Sequence, residues 1–181
     1  MRVVAIDLGD ARTGIAVGDR ITGIASPAGL VEVPIGREGG DALIRGIVGQ
    51  VRGLVGGDLD RGRAEVVIGL PLNMDGTEGP QAKAVRAFAG RIAAALGCPL
   101  VLVDERQTSI EADERMARSG LTHKQKKMRR DAIAAAAILR VYLNGEGVVE
   151  TVGGGEITTE GTESTEGTEQ GKRFGAGEAD E

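Results

Sequence analysis

The chain has 181 residues, 41% of them hydrophobic, and a net charge of −5. That is enough for one core domain with an appendage, and no run approaches the ~18 apolar residues of a membrane span. One cysteine and one histidine exclude an internal disulfide, a thiolate zinc site and a histidine triad. The charge is unevenly divided: residues 145–181 carry ten acids against Lys172 and Arg173, which leaves residues 1–144 at +3.

The opening "RVVAID" has no signal-peptide layout, so a cytoplasmic location is expected. Residues 2–8 read as a buried strand, a near-continuous β-branched run ending at Asp7 and Leu8. A turn at Gly9–Thr13 leads to a second strand, "GIAVGD", and a third, "GIASPAGLVEVP", is interrupted by Pro27. These short connections predict an antiparallel meander.

In "DALIRGIVGQVRGLV", Leu43, Ile44, Ile47, Val48, Val51, Leu54 and Val55 form a helical stripe. "AEVVIGLPL" is a fourth strand. The next helix starts at Pro80 and stops at Gly97. "CPLVLVDE" is a fifth strand. "TSIEADERMARSG" reads as a helix with Thr108 and Glu111 spaced as a capping box. The basic stretch "HKQKKMRR" precedes an alanine-rich last helix, "DAIAAAAILRVYL". The Gly/Thr/Glu-rich remainder has too little to bury to offset its ordering entropy and is expected to be a disordered acidic tail.

The expectation is therefore an α/β fold: a mixed five-stranded sheet with three antiparallel strands followed by parallel strands four and five, flanked by helices. Its domain is 1–144 and its tail 145–181. Right-handed crossovers put the C-terminal ends of strands one, four and five on one edge, where open α/β sheets bind ligands. Asp7, the "GLPLN" exit at Gly69–Asn73, and Asp104–Glu105 converge there.

Carboxylates crowded at that edge repel and protonate unless a cation sits among them. Asp7, Asp104, Glu105 and Asp131 form an all-oxygen set, which favours Mg²⁺ or Mn²⁺ over zinc or copper. Ions held this way activate water and stabilise a leaving oxygen in phosphodiester hydrolysis. Each acid also has a plainer use. Asp7 suits an Asx-type cap of the Gly9 turn, Asp131 suits a helix N-cap, and Asp104 and Glu105 suit pairing with Arg106.

The run 123–130 holds Lys124, Lys126, Lys127, Arg129 and Arg130. Such runs are ordinary solvated surface or, beside a metal site, a phosphate-binding segment. With two Phe, one Tyr and no Trp, no platform for stacking single-stranded bases is available. The "GLPLNMDGTEGP" loop, with its glycines at a helix start, is either an ordinary βα connection or a phosphate seat.

"DLGDARTGIAVGD", "GLPLNMDGTEG", "DERQTSIEADE" and "DAIAAAAIL", in this order, resemble the RuvX (YqgF) family across residues 1–144. The resemblance implies an RNase H-like fold related to the RuvC resolvases. It also implies a nuclease maturing the 5′ end of pre-16S rRNA in the cytoplasm, as monomer or homodimer, with ribosomal precursor particles as partners. Its catalytic and metal-holding acids fall on Asp7, Glu105 and Asp131, with Asp104 as the neighbouring candidate for the second position. Arg12, Asn73, Arg106 and the five basic residues of 123–130 are the candidate substrate contacts. The family carries Thr-Lys where this chain has Asp10–Ala11, and Arg12 is the nearest substitute for the absent charge.

Three other readings stand beside it. The RuvC relationship makes branched DNA an alternative substrate. A non-catalytic nucleic-acid-binding module would keep the fold alone. "DLG" before a glycine turn also resembles the phosphate motif of actin-type kinases and ATPases, but those enclose nucleotide between two such domains, and this length provides one.

Overall fold

A computed structural model describes residues 1–107 and 123–153, with residues 107 and 123–130 described by backbone alone. The capping-box helix expected from Thr108 lies outside them. In chain order the elements are β1 (Arg2–Leu8), β2 (Thr13–Asp19), β3 (Ala25–Val31), α1 (Asp41–Val55) and a short α2 (Gly57–Asp60). They continue with β4 (Ala64–Leu70), α3 (Pro80–Leu96), β5 (Leu100–Asp104), α4 (His123–Leu143) and β6 (Val148–Val152). Short 3-10 turns cover Arg37–Gly40 and Glu105–Gln107.

The mixed sheet is present with the expected strand directions, but it has six strands rather than five, in the order β3-β2-β1-β4-β5-β6. β1 runs antiparallel to β2 and parallel to β4, and β4 is parallel to β5. The sixth strand pairs antiparallel with β5. It comes from "VVETV", inside the stretch read as tail. Arg86 of α3 holds it in place, pairing with both Glu150 on β6 and Glu78 before the helix.

Strand alternation sorts the core onto two faces. Val4, Ile6 and Leu8 of β1 share one cluster with Ile15, Ile68, Leu70, Leu102 and the buried stripes of α1 and α3. Val3 and Ala5 share the other with Ala16, Val67, Val103 and Ala135, Ala136, Ile138 and Leu139 of α4. The predicted stripe of α1 is the one buried, at Leu43, Ile44, Ile47, Val51 and Val55. Each such side chain contributes about 1.5–3 kcal/mol. Gly97, at φ +75°, closes α3 with its N–H on the Ala93 carbonyl.

The α4 face is made of small residues. Gly14, Ala16 and Gly18 alternate along β2 beneath the helix, and a Cβ at Gly18 would stand 3.0 Å from Leu139 Cδ2. The helix therefore lies close against the strands. It begins at His123, so the basic segment forms its first turns and Asp131 lies in its interior. The N-cap reading of Asp131 is thereby corrected: the helical pattern was hidden because residues 123–130, with Met128 their one apolar member, offer no apolar face.

At the outer edge, β3 pairs with β2 through Pro27 opposite Ala16, with a register shift between Ile15 and Ala16. Proline and a bulge are devices that keep an edge strand from recruiting another chain.

Candidate active site

Asp7 is the penultimate residue of β1, on the face covered by α4. Its partner across the β1–β2 ladder is Gly14. On its other flank, β1 and β4 run in register through Ile6 and Ile68, which brings Gly69 beside Asp7. Both flanks thus lack a side chain, and a different acid closes over each. The backbone of Asp131 rests on Gly14, where a Cβ would stand 1.9 Å from the Asp131 carbonyl oxygen. The carboxylate of Glu105 rests on Gly69, where a Cβ would stand 2.0 Å from its Oε1.

The electrostatics match this convergence. Burial, and then the charge of Asp131, raise the Asp7 pKa to about 6. Burial, then Asp7 and then Asp104, raise Glu105 to about 8. Among the described residues the Asp7 carboxylate accepts no hydrogen bond from the Gly9 turn, whose own closure is Gly9 N–H to the Arg12 carbonyl at 3.2 Å. The turn-cap reading of Asp7 therefore has no contact behind it. Arg12 stands 3.8 Å from Asp131, the cation nearest that acid among the described residues.

Asp104 is turned away. Its strand neighbours Leu100 and Leu102 belong to the α1/α3 face, whereas Val103 belongs to the α4 face. Glu105 follows the parity of Val103, and Asp104 does not. Asp104 instead takes Arg106 Nε at 2.8 Å and Nη2 at 2.6 Å, plus the Arg106 backbone N–H at 3.0 Å. That partnership holds its pKa below the usual carboxylate range.

Arg106 also donates from Nη1 to the Met74 carbonyl at 3.2 Å, tying the β4–α3 loop to the exit of β5. The loop is further closed by Gly76 N–H to the Asn73 carbonyl at 2.8 Å and Asn73 N–H to the Thr77 carbonyl at 2.9 Å. Asn73 Nδ2 bonds Thr77 Oγ1 at 2.9 Å. The turn at Asn73–Gly76 is thus where the sequence puts it, with Gly76 at φ +85°. Asn73 and Arg106, both candidate substrate contacts, here make the loop's own bonds. Lys124, Lys126, Lys127, Arg129 and Arg130 precede Asp131 on α4, spanning about 10 Å of helix. Their side chains lie outside the described residues.

Among the described residues, no three His, Cys, Asp or Glu side chains are gathered closely enough to form a metal cage as placed. The donor chemistry nevertheless fits a hard divalent ion. Two desolvated carboxyls whose pKa values are raised by burial and neighbouring acids are ones whose ionised form a cation would relieve. Reading the sequence placed the Gly69–Asn73 exit at this edge but missed the roles of Gly14 and Gly69; the alternating Gly14-Ala16-Gly18 was the visible signal for the first. No helix of the described residues is long and apolar enough to cross a membrane.

The architecture is thus a mixed six-stranded α/β sheet flanked by helices, with the candidate acids supplied by β1, the exit of β5 and α4. A family model described as "RuvX: Holliday junction resolvase" matches residues 1–145. The chain belongs to the RuvX family. A relative from Anaeromyxobacter sp. (strain K), named "Putative pre-16S rRNA nuclease", is 42% identical over 144 residues, covering 80% of this chain and 97% of its own. One of the same name from Chloroflexus aurantiacus is 37% identical over 142 residues, covering 78% and 86%. Among solved structures, Thermus thermophilus RuvC in complex with a Holliday junction substrate aligns at a TM-score of 0.43 and 15% identity, over 82% of this chain and 99% of that one.

Proposed function

We propose that this chain is a divalent-metal-dependent nuclease that processes the 5′ end of pre-16S rRNA in the cytoplasm, acting on ribosomal precursor particles. The observation that carries the reading is the closure of Glu105 and Asp131 over the two glycine flanks of Asp7. Family membership and the names of the relatives support the substrate.

Asp7, Glu105 and Asp131 would hold Mg²⁺ or Mn²⁺, which supplies an activated water and charge stabilisation at the phosphodiester. Asp104 is left to Arg106. Arg12, beside Asp131, neutralises part of the acid cluster and faces an incoming phosphate. The Arg106-tied loop forms one wall of the edge. The basic first turns of α4 steer the nucleic-acid backbone. Residues 1–144 with β6 form the catalytic unit, and the acidic remainder is an appendage to it.

The family description favours a second reading, resolution of branched DNA. A side-by-side cleavage assay on a pre-16S precursor and a four-way junction, with Mg²⁺ or Mn²⁺ and with Asp7→Asn as control, separates the two. Cleavage of the precursor alone, abolished in the variant, supports the first. Paired cuts in the junction alone support the second. Full activity in Asp7→Asn removes the site assignment from both.

A further inference from the structure

We propose that Gly69 is a positioning residue: its missing side chain makes the space through which the Glu105 carboxylate reaches the Asp7 side of the sheet. This rests on the carboxylate reading of the site given above.

Conformation does not explain the glycine. Gly69 is not among the glycines with positive φ, so the strand backbone there accepts any L-residue. A glycine inside a strand weakens it by entropy and lost packing, and Gly69 sits in β4, at the centre of the sheet and inside the core. What the position lacks is room. A Cβ there would stand 2.0 Å from Glu105 Oε1, 2.8 Å from Glu105 Cδ and 2.5 Å from Ile138 Cδ1. Ordinary contact begins at about 3.4 Å, so the carboxylate would have to retreat by more than ~1 Å.

Gly14 is the counterpart on the other flank, but its neighbours are different in kind. A Cβ at 14 would meet the backbone of Asp131 and Ala132, so α4 as a whole would have to move. At 69 the obstacles are the ends of two side chains. A methyl group there leaves the backbone in place and displaces the Glu105 carboxylate. That makes Gly69 the position where carboxylate placement separates from folding. The chain thus places a functional acid by withholding a side chain from the neighbouring strand.

The test is Gly69→Ala, read in three ways on the full chain. A crystal structure of the metal-free variant is expected to show the Glu105 carboxylate displaced by about 1 Å or more, with β4 in place. Calorimetric titration with Mn²⁺ is expected to show binding weakened about 10- to 100-fold. Glu105→Asp, which shortens the acid, is expected to weaken binding in the parent but partly restore it in Gly69→Ala.

Two results overturn the proposal. One is a Glu105 carboxylate that keeps its place in the Gly69→Ala crystal structure. The other is full recovery by Gly69→Ala/Ile138→Val but none by Gly69→Ala/Glu105→Asp, which would make Gly69 a packing glycine beneath α4. If the parent chain binds no Mn²⁺, the metal reading fails, and the crystal structure still decides the role of Gly69.

Discussion

Arg106 holds Asp104 through Nε and Nη2, at 2.8 and 2.6 Å from the same carboxylate oxygen, while Nη1 reaches the Met74 carbonyl at 3.2 Å. One guanidinium thus joins the exit of β5 to the loop beyond β4. Arg106→Gln should release that loop while leaving the sheet folded. Hydrogen exchange should show faster exchange at the Gly76 and Thr77 amides. The global loss should be small, because the pair is partly solvated. Unchanged protection at those amides would show that the loop's internal bonds suffice without Arg106.

The two buried acids give a pH dependence with a defined sign. Asp7 moves from 3.8 to about 6 on folding and Glu105 from 4.5 to about 8. Across that interval the folded chain binds more protons than the unfolded one. Stability is therefore highest below about pH 4 as far as these groups are concerned, and falls as pH rises through 8. The metal-free protein should be less stable at pH 8 than at pH 5 by on the order of a few kcal/mol, and should melt at a correspondingly lower temperature. Glu105→Gln should flatten the decline and raise the melting temperature at pH 8, and added Mn²⁺ should raise it in the parent. A melting temperature that rises from pH 5 to 8 would contradict the burial of these charges.

Cleavage should respond in the opposite direction from stability. Asp7→Asn and Glu105→Gln remove a buried charge cost, yet each is expected to reduce the cleavage rate at least ~10³-fold, because each removes an anionic ligand of the proposed ion. Gain of stability with loss of rate marks a site whose repulsion is kept for function. Single-turnover cleavage and thermal melting on the same preparations check both halves.

The extent of the fold is open to truncation. A chain ending at residue 144 loses β6 and the Arg86–Glu150 pair, and exposes the β5 edge. It should be less stable than one ending at Gly153 by several kcal/mol, judged from urea midpoints. Equal midpoints would mean that β6 only decorates the sheet.

Thr13 is fully buried, and its Oγ1 has no hydrogen-bond partner among the described residues. An unpartnered hydroxyl in an apolar surround costs about 1–3 kcal/mol. Thr13→Val, of nearly the same shape, should leave stability unchanged or raise it by about 1 kcal/mol. A loss above that in chemical denaturation would reveal a bond made by the hydroxyl.

The elements that bury a periodic apolar stripe were legible from residues alone. β1, β4, β5, α1 and α3 all stand where alternation or helical spacing puts them. β6 was not, because "VVETV" is short and runs into glycine- and acid-rich sequence that resembles a tail. That α4 takes in residues 123–130 was hidden for a related reason: all but Met128 are polar, and helix propensity without an apolar face is a weak signal. The choice between Asp104 and Glu105 also needed the strand, since neighbouring acids look alike in sequence and only the pleat separates them. Gly69 was placed at the edge by its sequence, but its role was invisible, because the reason for it is an atom belonging to a residue 36 positions away.

The pleat of β5 has a further consequence for how this chain tolerates change in length. Val103 and Glu105 face α4 while Asp104 faces the other way, so a single residue inserted or lost within Leu100–Asp104 would exchange the two acids. The acid gripped by Arg106 would then face Asp7, and the glutamate would be turned to the far side. Length changes of two residues preserve the arrangement. In this strand, viable insertions and deletions are confined to even numbers.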